Sequence, residues 1–498
     1  MTQLFLFDES HESKPSSKSH GLLSLDRFEG AVLCSAVGDA LGWPTEFFRP
    51  NGKRKPSFSL PVQDFVAWQK VIGGRWWGYE DSIAPGQYSD DTQLALAVAR
   101  CITETGEFEP EHFAYEELPL WLQYERGGGK SVKTAARKLI GKHANWQKNF
   151  YKQGDVSYKD AGANGAAMRN LPIALVHVHD KSQLIKDSFY NSIITHGHPR
   201  AIIGAILFAL AVHCSITTSE APTPTSLIEC ILDGLRQVKK VIKDDEYLMR
   251  WVNHWNEDRK KTDLSFGELL QQTLQETGAC LRSIPDYLPK EVMTYYTHVG
   301  ALNPATKGSG VGTVCVAIYL FLKYLERPKE ALATAVNTFG SDTDTISVFL
   351  GGLLGAYHGL KAAPDYLINH IQDRDYLLKT ARRLYSIATG TGKTQEIIAI
   401  NHYKLRREEA YFRILAWEIG LHEMFWDLAS EGDDLVHPTL GHGSITKKEE
   451  KPIKREGYVA KLIHINFDCG QSCIFHSRVE NNDRVAESLA QEAVNALQ

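Results

Sequence analysis

The chain has 498 residues, is 43% hydrophobic and 23% charged, and carries a net charge of −5; this is the make-up of a soluble globular protein with room for two to four domains, or one large domain and a small one. With an isoelectric point near 6.4 there is no global basic field, which argues against nucleic-acid binding as a bulk property and leaves only a local patch open. The eight cysteines lie mostly in apolar helical surroundings (Cys34, Cys214, Cys230, Cys315), the N-terminus has Asp8 and Glu9 and no long apolar core, and the longest apolar run, Ala201 to Val212, is short for a bilayer; buried thiols in the cytoplasm are the expectation.

Residues 1–20 are polar and rich in Ser and Lys, and are expected to be disordered. Within them Gln3-Leu4-Phe5-Leu6-Phe7 resembles the pentapeptide by which bacterial replication and repair proteins dock on the sliding clamp, with Leu6 and Phe7 entering an apolar pocket; the plain alternative is an apolar end that packs on the body. Residues 25–42 read as a helix of small residues that lets a neighbour approach closely, stopped by Pro44. Glu46 falls just past the stop, on a loop. Residues 50–88 read as loop, rich in Gly, Pro and Trp. They end at an acidic turn, Ser89-Asp90-Asp91-Thr92, that opens a helix running to about Glu104.

Arg126-Gly127-Gly128-Gly129-Lys130-Ser131 then precedes a helix. Glycines allow close backbone approach and a helix start attracts anions, so a phosphate suits this turn as well as a plain connector does. Gly162 to Arg169 leads into an apolar helix, and Thr195-His196-Gly197-His198-Pro199 into the longest apolar one; a helix cap is the simpler reading of that His pair. Gly308 to Thr313 is a second glycine-rich turn, and Asp342-Thr343-Asp344-Thr345 a second acidic one, again ahead of an apolar helix. Neither acidic spacing puts both carboxylates on one helix face. Four carboxylates with the hydroxyls of Ser89, Thr92 and Thr345 form a hard oxygen set suited to Mg²⁺, Mn²⁺ or Ca²⁺ and not to zinc. One such turn is adequately explained as a cap; two turns with paired acids are harder to explain without a cation. The first 385 residues read as all-α.

The stretches GAVLCSAVGDALGWPTEF, YSDDTQLALAVA, GANGAAMRNLPIAL, THGHPRAIIGA, GSGVGT and NTFGSDTDTISVFLGGLLGAYHG, in this order over residues 25–385, resemble the ADP-ribosylglycohydrolase family. The resemblance implies an all-α multi-helix bundle over residues 21–387 and two Mg²⁺ or Mn²⁺ ions held by Ser89, Asp90, Asp91, Asp342, Asp344 and Thr345. It implies a mobile Glu46 over the site, a diphosphate facing Gly127, Gly129 and Lys130, ribose and diphosphate lined by Asn164, Gly165 and His196, and an adenosine end seated by Gly310 and Val311. Ser89 stands where many members have Thr, and Ala163 where many have Gly; neither removes a charge, and the four aspartates argue against an inactive, crystallin-like member. The implied function is hydrolysis of the glycosidic bond between ADP-ribose and a modified protein or DNA, through an oxocarbenium-like state, with Glu46 or Asp91 activating water. The alternatives are an inactive ADP-ribose reader and a hydrolase of a small ADP-ribose conjugate.

The remainder lies outside this resemblance. Thr389 to Thr394 imitates a P-loop, but Ile387 stands where the first Gly belongs, so a turn is expected, within a helical connector over 388–431. From 432 to 498 a small β-rich domain, weakly resembling Tudor- or SH3-like barrels, is expected to end in a helix over 484–497. His464, Cys469, Cys473 and His476 are a rival zinc reading with imperfect spacing.

Overall fold

The computed structural model describes residues 23–46, 48, 56–257, 263–391, 411, 414–415 and 429–480. The clamp-like Gln3 to Phe7, residues 392–394 of the P-loop mimic, most of the 388–431 connector and the 484–497 helix lie outside them.

The helical body is organised by α1 (Leu25–Gly42), which Ser24 caps by accepting from the Arg27 amide. Around it, in chain order, stand α2 (Asp90–Arg100), α3 (Lys130–Leu139), α4 (Pro199–Thr217), α5 (Gly310–Lys323), α6 (Thr343–His358) and α7 (Arg374–Thr389), with further helices between α4 and α5. The closest packing is α1 against α6, and its cause is a stripe of small residues. Side chains four apart share a helix face, and on α1 that face carries Gly30, Cys34, Gly38 and Gly42. Antiparallel to it, α6 presents Gly355, Gly351, Ser347 and Thr343. A Cβ added at Gly38 would lie 2.1 Å from the Ser347 carbonyl oxygen, and one at Gly355 2.1 Å from that of Gly30, so the two backbones touch. The end of α1 is thereby set against the start of α6, where Thr343 Oγ1 donates to the Gly42 carbonyl at 2.9 Å. α4 is apolar and long enough to cross a membrane by composition alone, yet 89% of that stretch is buried inside the body.

Two departures from an all-α reading occur before residue 385. Trp68–Ile72 (β1) and Tyr79–Ile83 (β2) pair as an antiparallel hairpin, and Lys152–Gln153 (β3) and Val156–Ser157 (β4) form a shorter one. In β1 and β2 buried or half-buried residues alternate with exposed ones, the two-residue period of a half-buried strand; five-residue strands inside a Gly- and Trp-rich stretch are too short to stand out in sequence.

The C-terminal strands β5 (Asp434–His437), β6 (Gly441–Pro452), β7 (Tyr458–Phe467) and β8 (Ser472–Glu480) form an antiparallel meander. Its order is β5-β6-β7-β8, and among the described residues no pairing of β5 with β8 closes it into a barrel. Alternate residues of β7 and β8 face opposite sides. Ile463, Ile465, Phe467, Cys473 and Phe475 join the core of the helical body. Ala460 and Leu462 pack instead on Ile72 and Tyr79 of the β1–β2 hairpin. The sheet is thus wedged between body and hairpin. It is tied there by the His476 amide donating to the Gln123 carbonyl at 3.0 Å, and by Asp373, whose carboxylate accepts from both the Ser472 and the Tyr88 hydroxyls at 2.6 Å. Burial of these contacts on both faces is why the segment reads as small and separate in sequence but is continuous with the body in space.

Candidate functional site

The two acidic turns converge at the α1–α6 junction. Asp90 and Asp91 occupy the first turn of α2, where the helix dipole favours negative charge. Ser89 caps that helix, its Oγ accepting from the Asp91 amide at 3.1 Å. A carboxylate from α1 completes the cap: Asp39, fully buried, accepts from the Ser89 amide at 3.1 Å, the Thr92 amide at 3.0 Å and the Thr92 hydroxyl at 2.6 Å. Opposite, Asp342 sits at the N-cap position of α6 and accepts from Asn164 Nδ2 at 2.8 Å, while Asp344 Oδ1 accepts from the Thr345 amide at 2.8 Å. Thr345 lies beside Asp91 and favours its charged form, so the two turns meet. Glu46, one turn beyond α1, completes the group: one carboxylate oxygen each of Glu46, Asp342 and Asp344 lies within 4.8 Å of the others.

Burial first, and then the neighbouring carboxylates, push Glu46, Asp90, Asp91, Asp342 and Asp344 upward. Asp91 is held well above its usual range by burial and by Asp344 and Asp39, Glu46 by burial and by Asp344 and Asp342, and Asp342 reaches about 7. Lys70 and Lys307 oppose this from either side. Such a group is costly to keep charged without a cation. Asp91 Oδ2 is buried and has no hydrogen-bond partner, as a ligand atom facing an ion would be. Hard oxygens, an orphaned carboxylate oxygen and excess negative charge together fit divalent cations of the Mg²⁺ or Mn²⁺ type.

The glycine turn after α2 flanks the acids. The Asp90 amide donates to the Arg126 carbonyl at 3.2 Å, and Gly127 has φ +118°, a conformation that glycine alone adopts readily. A Cβ there would lie 2.9 Å from Asp90 Oδ1, 3.2 Å from Lys70 Nζ and 3.4 Å from Trp43 Nε1. The amides of Gly127 and Gly128 both donate to Glu125 Oε2, at 3.1 and 2.9 Å. Gly129 and Lys130, at the start of α3, are exposed, and nothing lies within 4 Å of a Cβ on Gly129.

On the other wall, Asn164, Gly165 and His196 adjoin each other. A Cβ on Gly165 would meet His196 Cε1 at 3.0 Å. His196 is buried, hydrogen-bonds Thr195 Oγ1 at 2.7 Å, and burial beside Arg169 lowers its pKa to about 3, so it is neutral. Arg169 locks this wall by donating to the Gly165 carbonyl and to Thr195 Oγ1, each at 2.8 Å. His198 is a cap, accepting from the Arg200 amide at 3.1 Å. Gly310 is engaged in packing: its amide donates to the Gly162 carbonyl at 3.0 Å, and its backbone abuts Gly204 of α4. Val311 follows it, buried at the start of α5.

Asp39, Lys70 and Glu125 are site residues that sequence reasoning passed over. For Asp39 a signal existed, a lone acid within an otherwise small and apolar helix; Lys70 needed the hairpin and Glu125 the folded glycine turn. The zinc reading is not supported. His464 and His476 point to one face of the sheet and Cys473 to the other, and His464 Nε2 lies 2.8 Å from Glu449 Oε1. Cys214 and Cys230 are joined as a disulfide between α4 and the following helix, whereas Cys34, Cys101, Cys315 and Cys473 are buried thiols.

The family model described as ADP-ribosylglycohydrolase matches residues 21–394. An uncharacterized protein of Archaeoglobus fulgidus is 27% identical over 365 residues, covering 73% of this chain and 97% of that protein. ADP-ribosylhydrolase ARH3 of Danio rerio is 25% identical over 386 residues, covering 74% and 92%. ADP-ribosyl-[dinitrogen reductase] glycohydrolase of Rhodospirillum rubrum is 31% identical over 189 residues, covering 38% and 57%. With three-quarters of its length matched and the acidic turns of that stretch meeting at one point, the chain belongs to the ADP-ribosylglycohydrolase family.

Proposed function

We propose that the chain releases ADP-ribose from a modified macromolecule, protein or DNA, by glycosidic-bond hydrolysis at a site holding two Mg²⁺ or Mn²⁺ ions. The observation that carries this reading is the meeting of Asp90–Asp91 with Asp342–Asp344 and Glu46, acids some 250 residues apart in sequence, within a chain of this family. Ser89, Asp90, Asp91, Asp342, Asp344 and Thr345 would hold the ions, which when bound would draw in ribose hydroxyls and acidify a water. Asn164 fixes Asp342, and Asp39 fixes the start of α2, so the oxygen donors are set before substrate arrives. Glu46, its affinity for a proton raised by burial and by Asp344, is suited to accept the proton of the attacking water; Asp91 is the other candidate for this role. Neutral His196, beside Gly165, offers a ring nitrogen to the ribose without adding charge.

The test offers purified protein ADP-ribosylated Arg-protein, Ser-peptide and thymine or guanine DNA, with and without chelator. Release of free ADP-ribose from one of them by the wild type, abolished by chelator and by Asp344→Ala, is expected. Release that survives both would overturn the metal-centred reading, and binding without release would make the chain a reader.

A further inference from the structure

Beside the two acidic turns the hairpin β1–β2 delivers a cation, Lys70, whose charge opposes that of Glu46 and Asp90. Trp68, Lys70 and Ile72 share one face of β1, the face turned inward, because alternate strand residues point the same way. Across the hairpin Lys70 pairs in register with Asp81, but Arg126 holds that carboxylate, donating to Asp81 Oδ2 from Nε at 2.9 Å and from Nη2 at 2.7 Å. The Lys70 ammonium instead reaches past it, 4.8 Å from the centre of the Trp43 ring and 3.2 Å from where a Cβ on Gly127 would stand. Its Nζ is buried.

The place it reaches is the floor of the glycine turn, and there the amides of Gly127 and Gly128 are already engaged. Backbone amides in such a turn ordinarily cradle phosphate oxygens. Here Glu125 holds the Gly127 and Gly128 amides and is itself paired with Lys133 at 3.0 Å. An anion seated on Gly127 cannot use those two amides; of the side chains converging on that position, the Asp90 carboxylate comes within 2.9 Å of it and repels an anion unless it holds a cation, and the Lys70 ammonium and the Trp43 indole N–H are the two that can donate. The hairpin is held in place by the C-terminal sheet: Ile72 and Tyr79 pack on Ala460 and Leu462, Trp77 meets the Tyr458 ring edge-on at 5.1 Å, and Arg478 lies over the Tyr79 ring at 5.4 Å.

We propose that Lys70 is a diphosphate-binding residue of the cleft, delivered to the Gly127 turn by a hairpin that the C-terminal sheet braces. This rests on the reading of the cleft as an ADP-ribose site, and adds to it a specificity residue from outside the glycine motif. The test is calorimetric titration of the Mg²⁺-loaded full chain with ADP-ribose, for wild type, Lys70→Met and Lys70→Arg, with Mg²⁺ affinity measured alongside. Loss of one charge-assisted hydrogen bond predicts a roughly 10- to 100-fold weaker ADP-ribose affinity in Lys70→Met, recovery to within several-fold in Lys70→Arg, and a Mg²⁺ affinity no weaker than wild type. An unchanged ADP-ribose affinity in Lys70→Met overturns the proposal. So does tighter Mg²⁺ binding in that variant without loss of ADP-ribose, since the ammonium would then merely stand in for an ion. A wild type that binds no ADP-ribose refutes the reading of the cleft itself.

Discussion

Gly42→Ala tests whether helix packing sets the geometry of the acid cluster. A Cβ at residue 42 would stand 2.4 Å from the Thr343 carbonyl oxygen, 2.7 Å from Asp344 Cα and 2.8 Å from the Asp344 amide nitrogen. All three are backbone atoms, so no side chain can swing aside, and ordinary contact near ~3.4 Å requires α1 and α6 to part locally by about 1 Å. Overpacking of this kind costs about 1–3 kcal/mol. The same shift moves Asp344 by several times the ~0.2 Å tolerance of a metal–ligand distance, and loss of ligand orientation costs about 10- to 100-fold in metal affinity. Urea denaturation and Mn²⁺ titration of the same samples measure the two effects. Gly267→Ala is the control: position 267 is helical with nothing within 4 Å of a Cβ, so removing a helical glycine should stabilise by about 0.5–1 kcal/mol. A Gly42→Ala protein with wild-type stability and Mn²⁺ affinity would refute the argument.

Asp39→Ala leaves three buried donors on Ser89 and Thr92 without an acceptor; at about 1–3 kcal/mol for a stranded group the loss in urea-measured stability should exceed about 3 kcal/mol, with metal affinity falling too. Glu117→Gln removes the charge facing Arg100, which Glu117 binds through both oxygens at 2.7 Å while Arg100 also reaches Gln471 at 2.7 Å; an uncompensated buried guanidinium predicts about 3–5 kcal/mol of destabilisation, against under about 1 kcal/mol for Arg327→Ala at an exposed pair. The metal-free protein should lose stability as pH rises. Burial and Asp344 raise the folded-state Asp342 to about 7, so the folded chain holds this proton more tightly than the unfolded chain, whose carboxylates titrate near ~4. The contribution is complete below roughly pH 4 and gone above about pH 7. The melting temperature in chelator should fall across that window, and saturating Mg²⁺ should remove the fall; a metal-free protein that gains stability from pH 5 to 7 would contradict the cluster.

What the sequence disclosed were local capacities. Ser-Asp-Asp-Thr and Asp-Thr-Asp-Thr mark two helix starts rich in hard oxygens, and Gly30, Gly38 and Gly42 mark a helix that tolerates close approach. Neither pattern names its partner. WQKVI and YEDSI alternate as strands do, but they are too brief to outweigh the Gly and Trp around them, so Lys70 could not be placed. Of the sheet strands, Tyr458 to Phe467 and Cys473 to Val479 are strand-like in sequence, whereas the Lys/Glu stretch of β6 reads as a turn; the two buried faces depend on Ile72, Tyr79 and the body core, which no local pattern reports. The α1–α6 pair shows how partner choice then becomes chemistry. Its contacts join residues 30 with 355, 34 with 351, 38 with 347 and 42 with 343, one register along two stripes with a four-residue repeat. Slipping α6 by one repeat would keep small residues opposed over most of the stripe, yet would carry Asp342 and Asp344 about 6 Å along the axis, four residues at ~1.5 Å each. That exceeds the 4.8 Å span of the Glu46, Asp342 and Asp344 oxygens, so only one packing register brings those oxygens together. Glycines with no chemistry of their own therefore fix the spacing of the carboxylates that have it, and changing the register would abolish the acid cluster while leaving every acidic residue in place.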